Sequence, residues 1–206
     1  MKTTNARLVA LRGSILAIAC VAASASTISA QKLSAAETEK IIALRARTAI
    51  LALKTKNLAR LAPLVHPTKG LRFSPYYHIN IEKGGDRVVT RAQARTLFAN
   101  NRRFVWGEDD VTGEKLRMTF TRYYRRFVYD KDFARAQVNY GDQFYGRGTL
   151  INNMAEVYPN AIFVEYHFPG FEEKYGGMDW RSLWFVFEKD GSQWYLVGIA
   201  HGEWTS

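Results

Sequence analysis

Two runs near the C-terminus constrain the fold more than any other feature of the chain. Leu183-Trp184-Phe185-Val186-Phe187-Glu188 and Trp194-Tyr195-Leu196-Val197-Gly198-Ile199-Ala200-His201 are apolar at nearly every position. Successive side chains on a strand point to opposite faces, so such runs need cover on both sides and belong in the middle of a sheet. Lys189-Asp190-Gly191-Ser192 joins them, and Asp-Gly suits the positive-φ positions of a hairpin turn. Ala161 to Phe168, ended by Pro169-Gly170, reads as another strand.

Helices come earlier. Ser34-Ala35-Ala36-Glu37 is a capping box that opens an amphipathic helix from about Ala35 to Leu53. Asn57 caps a second, short helix, Leu58 to Val65, which Pro67 stops. Gly70 to Ile81 reads as a strand region that Pro75 places at a sheet edge or a bulge. Thr90-Arg91-Ala92-Gln93 is a second capping box, opening a helix to about Asn100. Arg103 to Trp106 reads as a strand, and Gly107 to Asp110 with Thr112-Gly113 as turns. Phe120, Tyr123, Tyr124, Phe127 and Val128 form a helical stripe. Asp130 to Asn153 is polar, a loop with short elements. Helices first and an antiparallel meander last predict an α+β fold. With 206 residues and 28 Phe, Tyr and Trp side chains, residues 31–206 suffice for one domain with a real core. The single cysteine excludes a disulfide framework and any zinc site with two thiolates.

Residues 1–30 have the three parts of a secretory signal peptide. Lys2, Arg7 and Arg12 form an acid-free basic start, Ile15 to Ala23 an apolar centre, and Ile28-Ser29-Ala30 a cleavage context. That apolar centre falls well short of the ~20 residues a bilayer span needs. Cleavage near Ala30 places the protein in the periplasm or outside the cell; the alternative is a lipoprotein anchored at Cys20. Removing the peptide takes the net charge from +10 to +7, and residues 31–60 hold +5 of that. The remaining body is nearly neutral, so no nucleic-acid role is expected. Arg45, Arg47, Lys54 and Lys56 read either as a solvated helix face or as a docking face for an anionic surface.

Leu61-Ala62-Pro63-Leu64-Val65-His66-Pro67 followed by Gly70-Leu71-Arg72-Phe73 resembles the helix-to-strand passage of the nuclear transport factor two-like (cystatin-like) superfamily. Tyr158 to Ala161, Tyr166 to Gly170, Met178 to Leu183 and Trp194 to Ile199 are similar to a group of uncharacterised secreted bacterial proteins within it. The resemblance implies a cone: a curved antiparallel sheet wrapped by N-terminal helices, often dimeric through the outer sheet face. It implies no reaction, because the superfamily holds enzymes and non-enzymes.

The four histidines, His66, His78, His167 and His201, show no metal-ligand spacing, so neither metal nor cofactor is expected. Glu165 and His167 share one strand face, as do His201 and Glu203. These four either converge on a pocket able to do acid–base work or face solvent. Candidate catalytic residues are thus His167, His201, Glu165 and the neighbouring Tyr166. Candidate ligand-binding residues are Arg72, Tyr76, His78, Asp179 and Arg181, with Asp179 and Arg181 placed to latch a loop as an ion pair. Isomerase-like members of the superfamily use a general-base carboxylate with a Tyr or acid donor, and no residue here maps onto that motif. Ser182 and Ser192 lack a nucleophile-elbow context. The reading is a ligand- or partner-binding accessory domain. The alternative is a small-molecule isomerase, dehydratase or hydrolase.

Overall fold

The computed structural model describes residues 34–141, 145 and 151–204, so residues 1–30, read above as a signal peptide, and Cys20 lie outside the described residues. Helix α1 (Ala35–Lys54) starts where its capping box puts it, with the Ser34 N–H donating to Glu37 at 2.8 Å. It buries Ile42, Ala46, Ala49, Ile50, Ala52 and Leu53, a stripe small enough to lie close to its neighbours. Asn57 caps α2 (Leu58–Leu61), but the chain then tightens into a 3₁₀ turn over Ala62–Leu64. Pro63 lacks the N–H that would have carried the expected helix to Val65. The Thr90 capping box opens α3 (Arg91–Arg95), followed by a 3₁₀ turn over Leu97–Ala99. The remaining helices are α4 (Phe120–Phe127) and the short α5 (Met154–Val157).

The strands are β1 (Leu71–Ser74), β2 (Arg87–Val89), β3 (Phe104–Glu108), β4 (Lys115–Met118), β5 (Gln137–Tyr140), β6 (Ile162–Phe168), β7 (Arg181–Asp190) and β8 (Gln193–Glu203). Six form one sheet in the order β2-β1-β8-β7-β6-β5, while β3 and β4 pair separately. The β7–β8 hairpin sits in the interior of the large sheet, as its two-faced apolar runs require. Two expectations fail. Strand β1 stops at Ser74, because Pro75 offers no N–H to continue the ladder. It is also no edge strand, being flanked by β2 and β8. Its pairing with β8 is parallel, so the sheet is mostly rather than wholly antiparallel. The long chain between β1 and β8 makes a parallel crossover available. The fold is mixed α+β.

Both faces of the sheet are covered. On one face Phe73, Leu183, Phe185, Phe187, Leu196 and Ile199 pack with α1 and α4 in a single apolar cluster. Trp106 of β3 stacks on Tyr123 of α4 at 4.6 Å, and Phe73 meets both edge-on. Such pairs add about 1 kcal/mol each beyond area burial. On the other face Trp184, Val186, Val197 and Ala200 pack with Tyr77, Ile79, Met154, Tyr158 and Trp180. The apolar second face is therefore answered within the chain.

Candidate functional site

Three polar clusters stand out, and strand register decides their membership. Register aligns Tyr166 with Leu183 and Leu183 with His201, while His167 aligns with Ser182 and Ser182 with Gly202. Directly opposite residues share a face. His201 and Glu203 therefore lie on the α1–α4 face and Glu165 and His167 on the other. The expected four-residue convergence does not occur.

On the α1–α4 face the polar groups are sealed into an ionic network. His201, fully buried, lies with Nε2 3.2 Å from Asp130 Oδ1. Arg181 Nε lies 3.2 Å from Asp130 Oδ2, and its Nη2 lies 3.1 Å from Glu203 Oε2. Arg126 of α4 pairs with the other Glu203 oxygen. Burial pushes the Asp130 carboxyl up, but the His201 hydrogen bond and the His201 and Arg181 charges outweigh it and the net shift is downward. The network pins α4 and the Asp130 loop to the ends of β7 and β8.

On the opposite face, Ser182 Oγ donates to Glu165 Oε1 at 2.6 Å and lies 2.8 Å from His167 Nδ1. The Tyr145 N–H donates to Glu165 Oε2 at 2.8 Å, and the Tyr145 ring stacks on the His167 ring at 5.3 Å. Glu165, Ser182 and His167 are all buried. His167 borders an open groove of about 350 Å³ lined also by Tyr145, Trp180, Gln137, Pro169, Gly176 and Gly177. Burial lowers the His167 imidazole to about 4.

A cleft of about 290 Å³ opens between the Pro75–Asn80 segment and the β3–β4 turn. It is lined by Tyr76, His78, Asp86, Glu108, Asp109 and Asp110, among others. Its geometry follows from local chemistry. Pro75 ends β1, and Asn80 and Asp86 then lock the next loop, the Asn80 N–H donating to Asp86 Oδ2 at 2.9 Å and the Asp86 N–H to the Asn80 carbonyl at 2.8 Å. Gly107 has φ +145°, and a Cβ there would sit 2.9 Å from Asp86 Oδ1, so glycine lets β3 close against the cleft floor. Burial pushes the Asp86 carboxyl up to about 6, against the lowering by Ser74, the Asn80 N–H and Arg72. Burial and the Asp110 carboxylate hold the Tyr76 phenol well above its ordinary value, so it stays a donor to Asp110. Glu108 is already paired with Lys115, and Asp109 accepts the Val111 and Thr112 N–H groups of its own turn at 3.2 and 2.9 Å. Asp110, exposed at the rim, and Asp86, which also holds the Asn80 N–H on the floor, are the other carboxylates that line the cleft.

Comparison with protein-family models, curated proteins and solved structures found no match to this chain.

Of the residues expected to bind ligand, Tyr76 and His78 line the cleft, His78 being exposed with Nδ1 3.1 Å from the Ile151 carbonyl. Arg72 lies behind it, donating to the Asp86 carbonyl at 3.1 Å and to the Tyr158 hydroxyl at 3.2 Å, so it braces the loop. Asp179 and Arg181 do not pair side chain to side chain. Asp179 accepts the Phe171 and Glu172 N–H groups at 3.0 and 2.9 Å, while Arg181 belongs to the ionic network. Tyr166 is buried in the α1–α4 core, away from His167. Of the basic face, Arg45 donates to Gln193 at 2.7 Å and Lys54 pairs with Asp132 at 2.7 Å, whereas Arg47 is exposed. Asp86, Asp110 and Asp130 escape sequence reasoning because isolated acids in turns carry no spacing signal. Ser182 has no nucleophile motif to mark it, and only strand register makes it a link between Glu165 and His167. Among the described residues no cluster of three His, Cys, Asp or Glu side chains is placed to hold a metal ion.

Proposed function

We propose that the protein is a secreted binding module that takes a small amine in the cleft between Pro75–Asn80 and the β3–β4 turn. The observation that carries the reading is the lining: Asp86 and Asp110 face a cleft whose one basic lining group among the described residues is His78. A carboxylate pair, with a tyrosine oxygen free to accept once its O–H is given to Asp110, complements an ammonium group carrying N–H donors. A cavity of about 290 Å³ suits a guest the size of a short diamine or an aminoalcohol. Residues 1–30 have signal-peptide composition, and the nearly neutral body beyond residue 60 fits a ligand chosen by local geometry rather than by the overall field. The element order and the Leu61–Phe73 passage support placing the fold with the nuclear transport factor two-like cones.

Calorimetric titration of the protein with putrescine, ethanolamine and, as a counter-probe, succinate tests this. The amines should bind, more weakly as salt rises, and succinate should not. Asp110→Asn should weaken amine binding about tenfold, the worth of one charge-assisted hydrogen bond of ~1.4 kcal/mol. Affinity should also fall as pH drops through about 6, where Asp86 takes a proton. Amines that do not bind, or that bind equally to Asp110→Asn and Asp86→Asn, overturn the reading.

A further inference from the structure

The relay beside the groove holds an imidazole in one tautomer, and none of its members touches the cleft. Ser182 has a single hydrogen and two partners, Glu165 Oε1 at 2.6 Å and His167 Nδ1 at 2.8 Å. Glu165 accepts the Ser182 O–H on one oxygen and the Tyr145 N–H on the other, so both oxygens act as acceptors. The serine hydrogen therefore goes to Glu165, and Nδ1 must carry a hydrogen and donate it to the serine oxygen. The lone pair of the neutral ring then lies on Nε2, which no group bonds among the described residues. His167 is 5% exposed, so this lone pair is largely stripped of water yet borders the groove. Ser182 is fully buried, so no substrate reaches it as a nucleophile. The described walls are the Tyr145 and Trp180 rings with Gln137, Pro169 and two glycines, none of them charged. Against these described walls an ionic guest would lose hydration without gaining a counter-charge.

We propose that His167 is a general base acting through Nε2 on an uncharged, flat substrate in this groove, with Ser182 and Glu165 as positioning residues. The ring takes a proton from substrate carbon or from water. The imidazolium that forms is stabilised through Ser182 by the Glu165 carboxylate, and the proton then leaves to bulk buffer. Burial lowers the ring to about 4 and so keeps it unprotonated at neutral pH, and positioned general bases contribute about 10²- to 10⁴-fold.

The test uses 5-nitrobenzisoxazole, an uncharged flat probe that needs only a base. Nε2 removes the proton on ring carbon 3, the C–H electron pair completes a nitrile, and the ring N–O bond breaks to leave a coloured phenolate. The full chain should convert the probe with saturation, and faster than free imidazole at equal concentration. His167→Gln should fall about 100-fold, to the buffer background. His167→Gly should be restored by added imidazole, which separates loss of the base from loss of the fold. Glu165→Gln and Ser182→Ala should slow the reaction about tenfold and move the midpoint of the pH–rate profile downward, because the imidazolium loses its support. Tyr166→Phe, on the far face of β6, should leave the rate unchanged. A wild-type rate no greater than that of free imidazole, or an unchanged rate in His167→Gln, overturns the proposal. An unmoved midpoint in Glu165→Gln overturns the positioning role.

Discussion

Asp86 is 8% exposed, and its carboxyl is raised to about 6 chiefly by burial. A folded value above the unfolded one means that the folded protein holds this proton more tightly. The associated stability is present below about pH 4 and is lost as pH rises through about 6. At pH 8 the ionised group costs about 3 kcal/mol, since a tenfold change in proton affinity between the folded and unfolded states corresponds to ~1.4 kcal/mol. Asp86→Asn should therefore raise the melting temperature at pH 8 by about 6–12 °C, on a scale of ~2–4 °C per kcal/mol, with little change at pH 4. The same variant should lose amine binding, and thermal scans at both pH values check the first half. A lower melting temperature at pH 8 would show that the buried charge is structural. Tyr76 and His78 are legible in the sequence as site residues because aromatic and titratable groups stand out there. Asp86 is not, because an acid in Gly84-Gly85-Asp86 reads as a turn until burial is known.

Among the elements, β8 runs closest to its neighbours at Gly202. A Cβ there would sit 2.3 Å from Trp184 Cζ3 and 2.5 Å from Trp184 Cη2, with Trp180 Cζ3 at 3.1 Å. Gly202→Ala should destabilise the protein by about 1–3 kcal/mol through overpacking, read as a lower denaturation midpoint at unchanged slope. Trp180 also borders the groove, so the same variant should slow probe turnover as the ring shifts. A variant as stable as wild type would mean that Trp184 repacks freely. Element starts are legible where the signal is local: the Ser34 and Thr90 capping boxes open α1 and α3. Strands β2 and β4 are not legible. Their three and four residues are too few to show a period.

Across the whole molecule, the Asp130 network ties together segments that are far apart in sequence. The net downward shift of Asp130 gives stability that is full above its ordinary value near 4 and is lost as pH falls below it. Asp130→Ala leaves Arg181 and His201 without their shared carboxylate and should cost about 3 kcal/mol at pH 7. The deficit should shrink as pH falls below the ordinary carboxylate range, as the lowered carboxyl takes up its proton. In the double variant Asp130→Ala with Arg181→Met the cost should be less than additive, as for any contacting pair. Equal losses at pH 7 and well below the carboxylate range would remove the electrostatic role. What the sequence determined by itself was local or periodic. The β7–β8 hairpin and its interior position followed from two-faced apolar runs, the helix starts from their caps, and the α+β class from element order. Tertiary structure alone decided which side chains meet. The offset that aligns His201 with Leu183 and His167 with Ser182 sends two histidines on nearby strands to opposite faces, one into an ionic seal and one to a groove. Side chains alternate with a period of two, so a shift of one residue exchanges the faces. That offset is set by packing across the whole sheet, which no local stretch of residues contains.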